Sequence, residues 1–333
     1  MANQEKFKTM IGGQALVEGI MMRGPKKDAI VVRTPDGISI ETKPRKIHKK
    51  GTLATWPLIR GAVGFFDAQV TGVKALMRSA DLSPEESDEP GSKFDQWLEK
   101  KLGEKKFQNF LIGSAVVFGM GMSVLLFFLL PGLIVSLFSH YLGDMTLVES
   151  LIEGLIRILI FLGYMVAVSR MKEMRRVFAY HGAEHKTIRC YEAGLPLTVE
   201  NVRAQSRKHP RCGTSFLFVV MILSILIFSA GSELLKAIIP SLDALKDVST
   251  LGAVGYKAIM LAFKLLLLPL VVAFAYEINR LVGRYDNWFT RILTAPGMLF
   301  QYFTTNEPDD DMIEVGIASL EAVLPEEEGT DRW

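Results

Sequence analysis

FLIGSAVVFGMGMSVLLFFLLPGLIVSLF, residues 110–138, carries no charge in 29 consecutive positions. A helix needs about 20 apolar residues to cross the hydrocarbon layer, so this stretch reads as a membrane span. Gly213 to Ser232 is a second uncharged run, of 20 residues. Two further spans are expected around Ile158–Ser169 and Leu265–Tyr276. They reach full length only by taking in Arg157, or Lys264 and Glu277, near their ends. Long basic stems can snorkel to the interface, and Glu153 stands one turn from Arg157 as a partner. The expected fold is a mainly α membrane protein of about four transmembrane helices, with amphipathic interfacial helices and a small N-terminal β-hairpin.

Composition agrees with that class. Of 333 residues, 49% are hydrophobic and 22% charged, the reverse of a disordered chain. A net charge of +2 argues against a chain built to hold nucleic acid. Two cysteines exclude a disulfide framework and any all-cysteine zinc or iron–sulfur site, which needs about four thiolates. No secretory signal is expected, because the first apolar run, Met10 to Met22, contains Gly12, Gly13, Glu18 and Gly19.

Loop charge predicts the orientation. Lys100, Lys101, Lys105 and Lys106 precede the first span, whereas the connection after it offers Asp144 and no Lys or Arg. Residues 170–212 carry ten Lys/Arg against four Glu, and Arg280, Arg284 and Arg291 follow the last span. Both termini and the 170–212 segment are therefore expected in the cytosol, on the inner face of a cytoplasmic membrane. The bilayer is the expected partner; membrane-protein partners and oligomeric state are not legible.

The chain divides accordingly. Residues 1–50 form an N-terminal motif and hairpin, with Ala29–Thr34 and Ile38–Thr42 flanking the turn Pro35-Asp36-Gly37. Residues 51–80 form an amphipathic helix, with Arg60, Gly64, Asp67, Thr71, Lys74 and Arg78 in a polar stripe. This helix either lies in the interface or packs on the spans. An acidic linker and basic pre-membrane segment occupy 81–106, the first two spans 107–170, a His/Glu/Cys segment 171–212 and the last two spans 213–282. Residues 283–333 hold an aromatic interfacial stretch and an acidic tail with one helix near Met312–Leu324.

The chemistry concentrates in 171–212. His181-Gly-Ala-Glu184-His185 is H-x-x-E-H, the inverted zincin pattern. Two histidines at i and i+4 lie about 6 Å apart along a helix and about 40° apart around it, so both can reach one ion. Glu184 is close enough to handle an activated water. His209-Pro-Arg-Cys212 offers an imidazole and a thiolate just ahead of the third span. Either or both could join His181 and His185. Four protein ligands would make a closed structural site, and three would leave an open position for catalysis. Mixed imidazole and thiolate donors favour zinc. Alternatively these residues are ordinary polar groups on an extended helix, with Cys212 a buried small residue. Glu192 shares their stripe but lies about 10 Å further along the axis than His185, too far to share a metal with them.

At the amino end, Gln14 and Glu18 would stand one turn apart if helical, with Glu18 most simply paired to Arg23. Ala295-Pro-Gly with Gln301 reads as a turn and an interfacial helix.

Four stretches, IGGQALVEGIMMRGP, YHGAEHKTIRCYE, LTVENVRAQSRKHPRCGTSF and TTNEPDDDMIEVGIASLEAVL, together resemble the YqhQ-like family of bacterial integral membrane proteins. The resemblance runs from about Gly12 to Leu324. That family carries a domain of unknown function and the label of a predicted metal-dependent enzyme. The motif positions it implies are Gln14, Glu18, Arg23, His181, Glu184, His185, His209 and Cys212.

Three functions are compatible with these residues. One is a membrane metalloenzyme hydrolysing an amide or ester in a peptide, lipid or membrane-derived substrate, with Glu184 as general base. The second is a non-enzymatic accessory protein presenting its basic segment and acidic tail to a membrane complex. The third, suggested by Arg157, Lys264 and Glu277, is a transporter, disfavoured by the lack of an inverted repeat.

Overall fold

The computed structural model describes residues 6–45, 51–83, 93–142, 146–327 and 329–332. It is about 70% helical, with four helices long and apolar enough to cross a membrane: Phe110–Phe138, Leu151–Val168, Gly213–Ile238 and Leu251–Arg284. The expected class is borne out, and the chain is a multi-pass membrane protein. It separates into two compact units, Pro84–Tyr164 and the combination of Met1–Ser83 with Met165–Trp333.

In Pro84–Tyr164, α2 (Lys93–Leu102) is followed by α3 (Glu104–Val124) and α4 (Leu130–Leu142), joined through a π segment at Leu125–Leu129. Pro131 has no N–H to return to the Phe127 carbonyl four residues back. Arg157, on α5 (Thr146–Val168), donates to that carbonyl at 2.7 Å and to Glu153 at 2.6 Å. A charge inside an apolar span is thus held by one carboxylate and one carbonyl that proline leaves open. Residues 84–92 of the expected acidic linker, and Asp144, lie outside the described residues.

The other unit begins with four antiparallel strands in the order β1–β2–β3–β4: Gly12–Leu16, Gly19–Arg23, Lys27–Thr34 and Gly37–Pro44. The expected hairpin is therefore the second half of a larger meander. The helical reading of Gln14–Glu18 is corrected, since these residues form the first half. Gly12 and Gly13 disfavour helix, and the Gly19–Met22 run is apolar on both faces because the sheet is covered on both. One face, with Ile20, Met22, Ala29 and Val31, packs on α6 (Lys172–Glu192) and α12 (Asp310–Glu321). The opposite face, with Leu16, Met21, Ile30 and Val32, packs on Ala75 and Leu82 of α1 (Ile59–Leu82). Met312, Ile313, Val315 and Leu320 of α12 are buried, so the C-terminal helix belongs to the core rather than to a free acidic tail.

α7 (Val199–Arg203) leads to α8 (Gly213–Ile238), then α9 (Ser241–Val248), α10 (Thr250–Arg284) and α11 (Trp288–Thr304). α1 packs against α10, where Arg60 forms an ion pair with Glu277. Pro296 lies within α11, so the expected turn at Ala295–Gly297 is absent. Gly297 seats that stretch against Ser215 of α8, where a Cβ would collide with the serine backbone at 2.4 Å.

Candidate metal centre

α6 stops at Glu192 and the chain turns away at Gly194, whose φ of +62° suits a residue without a Cβ penalty, while Leu195 N–H bonds back to the Cys190 carbonyl. Gly182 lets the chain at Asn306 cross close to the helix, because a Cβ there would stand 2.0 Å from the Asn306 carbonyl oxygen. That crossing brings the Thr304 carbonyl to His181, whose Nδ1 lies 2.7 Å away. The loop before α8 folds back likewise, placing the Arg207 carbonyl 2.7 Å from His185 Nδ1. A carbonyl can only accept, so both Nδ1 atoms carry the proton and both Nε2 atoms present a lone pair when the rings are neutral.

Those two Nε2 atoms meet the Cys212 thiol. Donor atoms of His181, His185 and Cys212 all lie within 4.8 Å of one another, with His181 Nε2 at 3.2 Å from Cys212 Sγ. Tetrahedral zinc with nitrogen and sulfur ligands holds its donors about 3.5 Å apart. Cys212 caps the N-terminus of α8 and accepts from Thr214 N–H, a placement that stabilises a thiolate. Burial opposes that thiolate, yet His185 and His181 hold its pKa well below the usual thiol range. Burial likewise opposes the His181 imidazolium, but the neighbouring thiolate prevails and raises its pKa to about 9. Among the described residues, the buried His185 Nε2 finds no hydrogen bond of ordinary geometry. An orphaned imidazole lone pair aimed at a thiolate fits a cation in place of the proton.

Glu184 lies beside this cluster. Its Oε1 accepts from Gly13 N–H at 3.0 Å, while its buried Oε2 has no hydrogen-bond partner among the described residues. Burial raises its pKa above the ordinary carboxylate value, as suits a proton acceptor and donor. Gly13 was not singled out in the sequence. A Cβ there would stand 2.7 Å from the Met21 carbonyl oxygen and 3.0 Å from Glu184 Cδ, so β1 can lie against α6 only as glycine. The Gly12-Gly13 pair inside a strand pattern was the available signal.

The remaining sequence candidates are placed elsewhere. His209 is not in the cluster: its Nε2 lies 3.1 Å from Glu192, a carboxylate that also binds Arg211 and accepts from Thr9 N–H. Burial pushes the His209 pKa down to about 4, so it is a neutral donor to Glu192. Gln301 clamps both backbone groups of His209 at 2.8 Å and thereby fixes the strap that delivers Cys212. Glu18 does not pair with Arg23. It occupies the β1–β2 turn at φ +49° and binds Arg176 through both oxygens at 2.5 Å. Arg23 instead binds Asp67 at 2.8 Å and Asp28 at 3.4 Å. Gln14 lies against Gly72 of α1.

A cavity of about 510 Å³ opens onto His181, Glu184, His185 and Cys212. Arg23 and Arg45 line one part, and Met165 and Leu217, from the ends of apolar spans, line another.

Fold and cluster together define a multi-pass membrane protein with a half-buried histidine, a buried histidine and a buried cysteine facing a cavity. The sequence matches the family described as "Protein of unknown function (DUF1385)" over residues 56–326. It is also 31% identical to "Uncharacterized protein YqhQ" of Bacillus subtilis (strain 168), over 97% of this chain and 94% of that protein. The chain belongs to this family, as the sequence resemblance implied. No solved structure matches it.

Two predictions follow from this packing. Gly13→Ala should cost about 1–3 kcal/mol by overpacking, whereas Gly12→Ala, with nothing within 4 Å of its Cβ, should stay within about 0.5 kcal/mol. Thermal unfolding of the purified protein checks both. Burial disfavours the Glu192 carboxylate, but His209, Arg211 and Thr9 together lower its pKa below 4.5. Its contribution is then fully present above about pH 4.5 and lost as pH falls through the folded-state value. Glu192→Gln should therefore destabilise by about 3–5 kcal/mol at neutral pH, with the gap to wild type narrowing in acid unfolding profiles.

Proposed function

We propose that this protein is an integral membrane metal-dependent hydrolase, with zinc held by His181, His185 and Cys212 and with Glu184 as general base. The observation that carries the reading is the convergence of three donors, two with carbonyl-fixed tautomers, beside a carboxylate oxygen that has no hydrogen-bond partner among the described residues. Zinc in such a site lowers the pKa of a water toward neutrality and polarises a substrate carbonyl. Glu184 takes the water proton on Oε2 while Gly13 N–H steadies Oε1, and then delivers that proton to the leaving nitrogen or oxygen. The bond from water oxygen to carbonyl carbon forms as the amide or ester bond breaks. Arg23 and Arg45 orient a polar or anionic part of the substrate, and Met165 and Leu217 accept an apolar part, which suits a membrane-derived molecule.

Three ligands rather than four favour catalysis over a structural knot. The commitment of His209 to Glu192 is what leaves a position open. The excess of Lys and Arg beside this module supports placing it on the inner face of the cytoplasmic membrane. The accessory-protein alternative loses support from the burial of α12, which takes its apolar side out of reach of a partner.

A second reading has its own observation: Cys212 Sγ, 3.2 Å from His181 Nε2 at a helix N-terminus, is also a nucleophile–base pair. Metal content separates the two. Elemental analysis of purified wild type should give about one zinc per chain. His181→Ala/His185→Ala should lose it, and Glu184→Ala should keep it. Wild type without metal after zinc is supplied would overturn the metalloenzyme reading and leave the thiolate pair.

A further inference from the structure

A second cavity, of about 1080 Å³, opens among the first described residues, the strap before α8, the end of α10 and one side of α11. It shares Arg211 with the cavity at the metal centre and otherwise has its own lining. Lys6, Lys8, Arg189 and Lys208 all face it, and among the described residues none of them is bonded to a carboxylate. Arg211 and Arg291 also line it, but Glu192 and Asp286 already neutralise them. Arg189 donates to the Lys208 carbonyl at 3.0 Å, and Lys208 Nζ sits 3.2 Å from the centre of the Tyr302 ring. Asp286, in the same lining, also attracts Lys8, so six cations gather around this concavity against one lining carboxylate, an excess that a bound anion would offset.

The rest of the lining says which anion. Val282, Met298 and Leu299 give the cavity an apolar side, where the α10 span ends. The outer face of α11 exposes Trp288, Phe289, Ile292 and Phe303, the aromatic-rich composition of a helix at headgroup depth. Cations, tyrosine rings and an aliphatic side at the end of a span match a phosphate esterified to a lipid. A free phosphate would make no use of the apolar half.

We propose that this cavity binds the headgroup phosphate of an anionic phospholipid, with Lys8 and Lys208 as principal cations and Met298 and Leu299 against the start of the acyl chain. The site depends neither on zinc nor on Glu184.

Native mass spectrometry of the full chain in neutral detergent tests this, with short-chain phosphatidylglycerol and phosphatidylcholine of equal chain length as probes. Phosphatidylglycerol should bind at least about tenfold tighter, and Lys8→Gln/Lys208→Gln should remove most of that preference. Inorganic phosphate should not displace the lipid at matched concentration. Equal binding of the two lipids, or an unchanged preference in the variant, would overturn the proposal. Displacement by phosphate alone would overturn it in favour of a free-phosphate site. Should the double variant fail to fold, wild type decides: the preference should shrink as salt rises from about 0.05 to about 0.3 M, and a salt-independent preference would contradict a site built on these cations.

Discussion

Two backbone carbonyls, those of Thr304 and Arg207, determine which nitrogen of each imidazole faces inward, and the centre depends on that choice. Histidines one turn apart on a helix can rotate, exchange tautomers or point into solvent. Here each ring is held at 2.7 Å by a main-chain oxygen from a different distant segment. The centre is therefore a product of tertiary structure rather than of the H-x-x-E-H pentapeptide. It forms only when the stretch after α11 crosses α6 and the strap before α8 doubles back.

Much of the remaining structure holds those two segments in place. Gln301 grips the strap through both main-chain groups of His209, and Glu192 collects His209, Arg211 and the Thr9 amide. Asn306 donates to the carbonyls of Phe178 and Arg175, pinning the crossing against α6. The sheet contributes Gly13, which comes close enough to fix Glu184. The ionisable groups in or beside the spans are answered locally too: Arg157 by Glu153 and a proline-freed carbonyl, Glu277 by Arg60. Two of the three residues that suggested a transporter, Arg157 and Glu277, are thus held in local ion pairs.

The spans were legible because membrane insertion writes itself as long uncharged runs, and those around Arg157 and Glu277 because each still holds a 12-residue uncharged stretch, although Arg157 lies inside its span rather than at its end. The Pro35-Asp36-Gly37 hairpin was legible for a similar reason: local turn chemistry flanked by β-branched residues. Residues 12–23 were not, because glycine-rich apolar segments have no period of their own. Their strand conformation comes from being covered on both faces by α1, α6 and α12. His181, Glu184 and His185 could be read from i, i+4 spacing. Whether His209 or Cys212 would join them could not, since that depends on Gln301 and Glu192, whose partners lie 92 and 17 residues away from them in sequence. Glu18 and Arg23, apparently matched by proximity, found other partners because a two-residue turn points Glu18 toward α6.

The central claim is that His181, His185 and Cys212 act together on one metal ion. X-ray absorption at the zinc edge on purified wild-type protein tests it most directly. The account predicts two nitrogen donors at about 2.0 Å and one sulfur at about 2.3 Å, with a light fourth atom. That sulfur should vanish in Cys212→Ser. A spectrum with no sulfur contribution in wild type, or one unchanged by Cys212→Ser, would contradict it.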